Sequence, residues 1–179
     1  MFETDCQALC ISGNNWLYPG SGAAKAILER GGEGMVADLR RLQSMRCPLE
    51  MGEAIEADPA GLTDPVSGAR TNWYYGISVG YRKMKDGRPA GRIPATPESV
   101  YKTVVSVLRL ANRDGVRSLA LPLMCARPGY STVPSDRAGA VMAESMIRAI
   151  NDTRPELGIT RIDLYVPSSV RDTTQALLA

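Results

Sequence analysis

The 179-residue chain carries 21 Lys and Arg against 19 Asp and Glu, and 44% of it is apolar, which fits a water-soluble globular protein with its own core. A net charge of +2, with cations spread along the sequence, argues against bulk electrostatic binding to nucleic acid and leaves room for one local anion site. There is no histidine, which excludes Ser-His-Asp and Cys-His chemistry, a histidine base and a Cys/His zinc site.

The four cysteines, Cys6, Cys10, Cys47 and Cys125, lack CxxC spacing, so no metal site is expected and a reducing, cytoplasmic setting fits them. No stretch has the length and apolarity of a membrane span and no signal-peptide pattern precedes Cys6, so no membrane partner is expected. The length, without repeats or low-complexity tracts, predicts a single domain over residues 1–179.

In chain order, "CQALCIS" (Cys6 to Ser12) reads as a buried strand. A Pro-Gly-Ser-Gly turn at Pro19 to Gly22 opens a helix from about Ser21 to Arg30, closed by Gly31-Gly32. Apolar residues at three- and four-residue steps predict a second helix over Met35 to Met45. Gly52 to Ala57 and Trp73 to Tyr81 alternate as strands, and the Asp-Pro-rich segment between them reads as the long loop of a hairpin. A polar, proline-rich loop is expected after Tyr81. Thr96 then caps a helix with Pro97 at its first position, running to Arg113 and ended by Gly115. "RSLALPLM" has the continuous apolar character of a parallel strand. A helix over Ser135 to about Asn151, the strand "TRIDLYV" and a closing helix over Ser168 to Leu178 complete the pattern. Strands alternating with helices predict an α/β protein, a largely parallel sheet with helices on both faces.

Ligands of open α/β sheets bind beyond the carboxyl ends of the strands. Two loops stand there. In the first, Gly20 and Gly22 permit close backbone approach, Ser21 adds a hydroxyl, and the amides of Gly20 to Ala24 face outward from a helix start, an arrangement suited to phosphate. The second, "CARPGYSTVPSDRAG", is long and chemically mixed, with Arg127, Gly129, Tyr130, Ser131 and Thr132. Neither has the spacing of a Walker A motif or of a dinucleotide fingerprint, so a nucleotide site of another type is indicated.

Together the loops resemble those of the macrodomains, the ADP-ribose-binding α/β/α sandwiches. The family's first loop, N-A-A-N-S-x-L-x-G-G-G-G-V-D-G-A-I, runs without a gap from Ile11 to Ile27, placing Asn14 on the second Asn, Leu17 on the Leu, Gly20 and Gly22 on two glycines and Ala26-Ile27 on the closing pair. "LALPLMCARPGYSTVP" is similar to the family's second loop and the strand leading into it. "CISGNNWLYPGSGAAKAI" is most similar to the branch containing the terminal ADP-ribose glycohydrolase and the macrodomain of the chromatin remodeller ALC.

The resemblance implies a three-layer α/β/α sandwich with a mixed, largely parallel sheet and a first strand cut short. It implies an ADP-ribose site made by Asn14, Gly20, Ser21, Gly22, Ala23 and Ala24 on one side. Cys125, Ala126, Arg127, Gly129, Tyr130, Ser131 and Thr132 form the other. Asn14 would hold the distal ribose, and Tyr130 would stack on the ligand. No cofactor or metal is implied. The expected partner is ADP-ribose or an ADP-ribosylated substrate, nucleic acid only if it carries ADP-ribose, and the chain is expected to be a monomer.

Three departures bear on catalysis and recognition. The family's first Asn is Ile11, and the Asp of V-D-G-A-I is Ala24. The family's G-D-I motif, whose Asp reads adenine, has no counterpart near the start of the sequence. The glycohydrolase branch uses a strand-end Lys and a second-loop Asp. Lys83 and Lys85, standing past the expected strand end, and Asp136 at a helix start are the nearest equivalents. The binding loops match better than the catalytic groups, so the resemblance favours a reader or sequestering module, with an ADP-ribosyl hydrolase using Asp136 and Lys83 as the alternative.

Overall fold

The structure, a computed structural model, describes residues 4–19, 23–58 and 72–167. Its elements are β1 (Ala8–Asn14), α1 (Ala23–Arg46), β2 (Ala54–Ala57), β3 (Asn72–Lys85), β4 (Arg88–Ile93), α2 (Pro97–Arg113), β5 (Ser118–Pro122), α3 (Ser135–Thr153) and β6 (Arg161–Tyr165). The expected closing helix over Ser168 to Leu178 lies outside the described residues.

The sheet runs in the order β2-β3-β1-β5-β6, with β4 paired to β3. β1 lies parallel to both β3 and β5, and β5 parallel to β6, while β2 is antiparallel to β3. This is the expected mixed, largely parallel sheet. Its alternation sorts the core into two layers. Ala8, Cys10, Tyr74, Leu119 and Leu121 face α2 and α3, whereas Leu9, Ile11, Trp73, Tyr75 and Ile77 face Met35, Leu39 and Leu42 of α1.

α2 forms where its sequence is least ambiguous. Thr96 accepts from the Ser99 amide at 3.0 Å while the Thr96 amide donates to the Ser99 hydroxyl at 2.9 Å, a capping box with Pro97 at the first helical position. Val100, Val104, Val107, Leu108 and Ala111 form its buried stripe. α1 holds both expected helices in one span. They meet at Gly32, where φ is 62° and ψ −155°, and a residue with a Cβ would be strained.

One expectation is corrected. The segment after Tyr81 is not a loop: β3 continues to Lys85, Asp86 and Gly87 turn with φ of 50° and 72°, and β4 returns in antiparallel register. Two central residues with positive φ make the primed turn that matches the twist of paired strands, and Asp-Gly is a preferred pair for it. Charged side chains on both faces of the exposed ribbon had hidden its alternation. Lys83 and Lys85 therefore lie inside β3 rather than past its end.

Candidate functional site

The carboxyl ends of β1 and β5 meet the middle of β3 in a small, largely buried polar cluster. Ser12 of β1 and Ser78 of β3 share a 2.7 Å hydrogen bond, and the thiol of Cys125, three residues past β5, lies close to both hydroxyls. Cys125 has φ of 56°, a backbone state rare for a residue with a side chain. Burial pushes its thiol up to about 11, and the hydroxyl contacts oppose that only in part. At neutral pH the group is a protonated thiol, a packing element and not a nucleophile.

The first loop is bound to β3 by side chains that imitate backbone. Buried Asn15 donates from Nδ2 to the Tyr81 carbonyl at 3.0 Å and accepts the Tyr81 amide at 2.8 Å, extending the β1–β3 pairing by one rung after β1 has ended. Trp16 donates its indole N–H to the same carbonyl at 3.1 Å. From the helix side, Gln43 donates to the carbonyls of Trp16 and Leu17. Asn14 closes the loop on itself. Its Oδ1 accepts the amides of Trp16 and Tyr18 at 3.1 and 3.2 Å, and its Nδ2 donates to the Tyr18 carbonyl at 2.8 Å. Asn14 thus sets the shape of the loop and, among the described residues, leaves one of its amide protons without a hydrogen-bond acceptor. Gly20, Ser21 and Gly22 lie outside the described residues, and Ala23 and Ala24 open α1.

The second loop is held from the other side. Pro128 and Gly129, the latter at φ 75°, form the centre of a turn closed by the Tyr130 amide donating to the Arg127 carbonyl at 3.2 Å. Ala95, just before α2, donates to Tyr130 at 2.9 Å and accepts from Thr132 at 2.8 Å. Arg92 of β4 completes the attachment. It donates to the Gly129 carbonyl at 3.1 Å, lies 4.3 Å from the centre of the Tyr130 ring, and donates to the Tyr81 hydroxyl at 3.4 Å. The Tyr81 contact also raises the Arg92 pKa, so the guanidinium is charged at any working pH.

Of the expected site residues, Arg127, Gly129 and Thr132 are exposed and Ser131 half-buried, while the side chains of Cys125 and Ala126 belong to the core and leave only backbone to offer. One face of the Tyr130 ring is already occupied by Arg92. Asp136 is exposed in the first turn of α3, the natural place for a carboxylate at a helix amino end. Lys83 pairs opposite Ala90 in the hairpin, and among the described residues no hydrogen bond or ion pair joins it to Asp136.

Two residues that sequence reasoning passed over, Tyr81 and Arg92, connect the loops. Tyr81 carries the first loop on its backbone and Arg92 on its hydroxyl, and Arg92 carries the second. The Asp-Gly pair was the signal that would have placed Arg92 opposite Tyr81. Arg92→Ala is expected to unfasten residues 127–130, seen as faster amide exchange there, with little change in melting temperature. Arg92→Lys, which keeps charge but not the planar fork, restores this only in part.

Two further features adjoin or oppose the site. A groove of about 800 Å³ lies on the α1 side of the first loop, between Trp16, Tyr18, Arg40, Gln43 and Met84. At the opposite end of the sheet, Asp5, Cys6 and Asp163 bring metal-type donors together. Arg161 bonds both carboxylates there, at 3.0 Å to Asp5 and 2.7 Å to Asp163, and holds Asp163 below the usual carboxylate range. That guanidinium supplies the positive charge.

No protein-family model matches the sequence. An uncharacterized protein of Aeropyrum pernix is 28% identical over 142 residues, which span 79% of this chain and 65% of that protein. The fold is similar to that of the Oceanobacillus iheyensis macrodomain determined with ADP, with a TM-score of 0.73 at 15% identity, covering 99% of this chain and 85% of the other. The macrodomain of Mycobacterium tuberculosis DarG aligns with a TM-score of 0.64 at 13% identity, over 92% of this chain and 91% of that one. The ganglioside induced differentiation associated protein 2 macro domain aligns with a TM-score of 0.67 at 19% identity, over 97% and 76%.

Proposed function

The chain has the fold of the macrodomains, and from that premise we propose that it binds ADP-ribose, free or attached to an acceptor, as a reader or sequestering module. The observation that carries this reading is the joining of the two loops through Tyr81 and Arg92. They bound one site at the carboxyl ends of the strands, where open α/β sheets hold their ligands. The Oceanobacillus iheyensis macrodomain has been determined with ADP and, in a variant, with ADPR, which supports a diphosphate as the element the loops receive.

In this reading Gly20 to Ala24 present amides to the diphosphate, Gly129 to Thr132 close over it, and the remaining amide proton of Asn14 reaches a ribose hydroxyl. Binding is favoured over hydrolysis for a chemical reason. Water at neutral pH needs a positioned base, worth roughly 10²–10⁴-fold in rate. Ala24 cannot serve, no histidine exists, and Asp136 stands exposed at a helix start. Release of ADP-ribose from a mono-ADP-ribosylated protein is expected to be slow or undetectable, and any residual turnover to fall in Asp136→Ala while ADP-ribose binding persists. Fast turnover that survives Asp136→Ala would overturn the reader reading.

A further inference from the structure

We propose that the β3–β4 hairpin binds single-stranded nucleic acid and leads it to the second loop. Arg82, Lys83, Lys85, Arg88 and Arg92 stand within one hairpin with Asp86 as its only acid, a larger local charge than the whole chain's net +2. Among the described residues none of these five cations has a carboxylate partner within ion-pair distance.

The register places them. Tyr81 lies opposite Arg92, Lys83 opposite Ala90 and Lys85 opposite Arg88. Directly opposed residues share a face, and so do residues two apart on a strand, so Lys83, Lys85, Arg88 and Arg92 form one cationic face with Tyr81. Lys85 directly across from Arg88 is a like-charge pair, which weakens a two-stranded ribbon. A local rule broken this way, with no counter-ion nearby among the described residues, points to a function met by the charge itself.

The partner follows from the chemistry of that face. Cations two residues apart stand about 6.6–6.8 Å apart along a strand, a row suited to a chain of phosphates. At its base the row meets the rings of Tyr81 and Tyr130 around Arg92. Positive charge interleaved with aromatic rings is the pattern of single-strand binding, in which bases stack while cations follow the backbone. A lipid surface fits less well, because the turn at the tip is Asp86-Gly87 and offers no apolar group to insert. The hydrogen bond from Arg92 to the Gly129 carbonyl fixes the end of this track to the second loop. The delivery of an ADP-ribosylated strand to the site rests on the ADP-ribose reading above, whereas the binding of unmodified strand does not.

The test uses Lys85→Glu in the full chain. The substitution turns the like-charge pair with Arg88 into one of opposite charge, so the hairpin is expected to keep or raise its melting temperature while losing phosphate contacts. Fluorescence anisotropy with a labelled single-stranded oligothymidylate, between about 50 and 200 mM salt, should show binding by the wild type with a slope near −0.7 per neutralised phosphate. Lys85→Glu should weaken it at least about fivefold and make the slope shallower by about 0.7, the share of one phosphate. ADP-ribose binding by the same variant should equal that of the wild type. No binding of the oligonucleotide by the wild type, equal binding by the variant, or tighter binding to phosphatidylserine vesicles than to the oligonucleotide would overturn the proposal. Oligonucleotide binding by a wild type that takes up no ADP-ribose would leave the hairpin as proposed and remove the ADP-ribose reading instead.

Discussion

Asn15→Ala is expected to lower thermal stability and ADP-ribose affinity together. The Asn15 side chain is 9% exposed and satisfies both backbone groups of Tyr81. After truncation the Tyr81 carbonyl keeps the Trp16 indole, but the Tyr81 amide loses the acceptor it has in the folded chain. An orphaned buried group costs about 1–3 kcal/mol. For a chain of this length that corresponds to roughly 2–12 °C in melting temperature. The same change removes the Asn15 side-chain bonds that tie the first loop to β3, and in the proposed site that loop is one of the two that hold ADP-ribose. Thermal melting and calorimetry on one preparation separate the two effects. A lower melting temperature with wild-type ADP-ribose affinity would show that the first loop is scaffold and not part of the site.

The largest loss of stability is expected from Gly76→Val. Gly76 lies in the middle of β3, where the sheet approaches α2 more closely than a side chain allows. A Cβ there would stand 2.7 Å from Thr103 Cγ2 and 3.2 Å from Val107 Cγ2. Thr103 cannot swing aside freely, because its fully buried hydroxyl donates to the carbonyls of Ile77 and Ser99 at 3.0 and 2.8 Å. Overpacking of this kind costs about 1–3 kcal/mol, and a branched residue adds further methyl groups to the same gap. Gly76→Ala should be milder. Thr103→Ser removes the obstructing methyl and keeps the hydroxyl, so Gly76→Ala with Thr103→Ser should recover part of the loss, a coupling that a double-mutant cycle measures directly. Independent, additive effects would contradict the close approach of β3 to α2.

The legible parts of this protein were those written in local periodicity. The apolar spacing from Val100 to Ala111, the cap at Thr96 and Pro97, the glycine break at Gly32 and the unbroken apolar run of β5 each determine their element within a few residues of sequence. β4 was not legible in that way, because Arg88 to Ile93 has no buried residue and its sequence, Arg-Pro-Ala-Gly-Arg-Ile, carries no apolar alternation. Only the turn chemistry of Asp86-Gly87 betrays it. The joining of the loops was hidden for a different reason. Asn15 and Tyr81 are 66 residues apart, and Arg92 and Gly129 37 apart, and no local pattern records such a pairing. Asn14 shows the limit of a motif match. The position agrees with a ribose-binding amide, yet three of its hydrogen bonds go to its own loop, a local competition typical of Asn at a turn.

The most direct measurement is a calorimetric titration of the purified chain with ADP-ribose beside AMP and ADP. ADP-ribose should bind more tightly than AMP, because in the proposed site the two loops meet the diphosphate and the distal ribose, and AMP offers neither. ADP should fall between them. Equal affinities for ADP-ribose and AMP, or no heat with ADP-ribose at concentrations where the fold is intact, would contradict the assignment of this site to ADP-ribose.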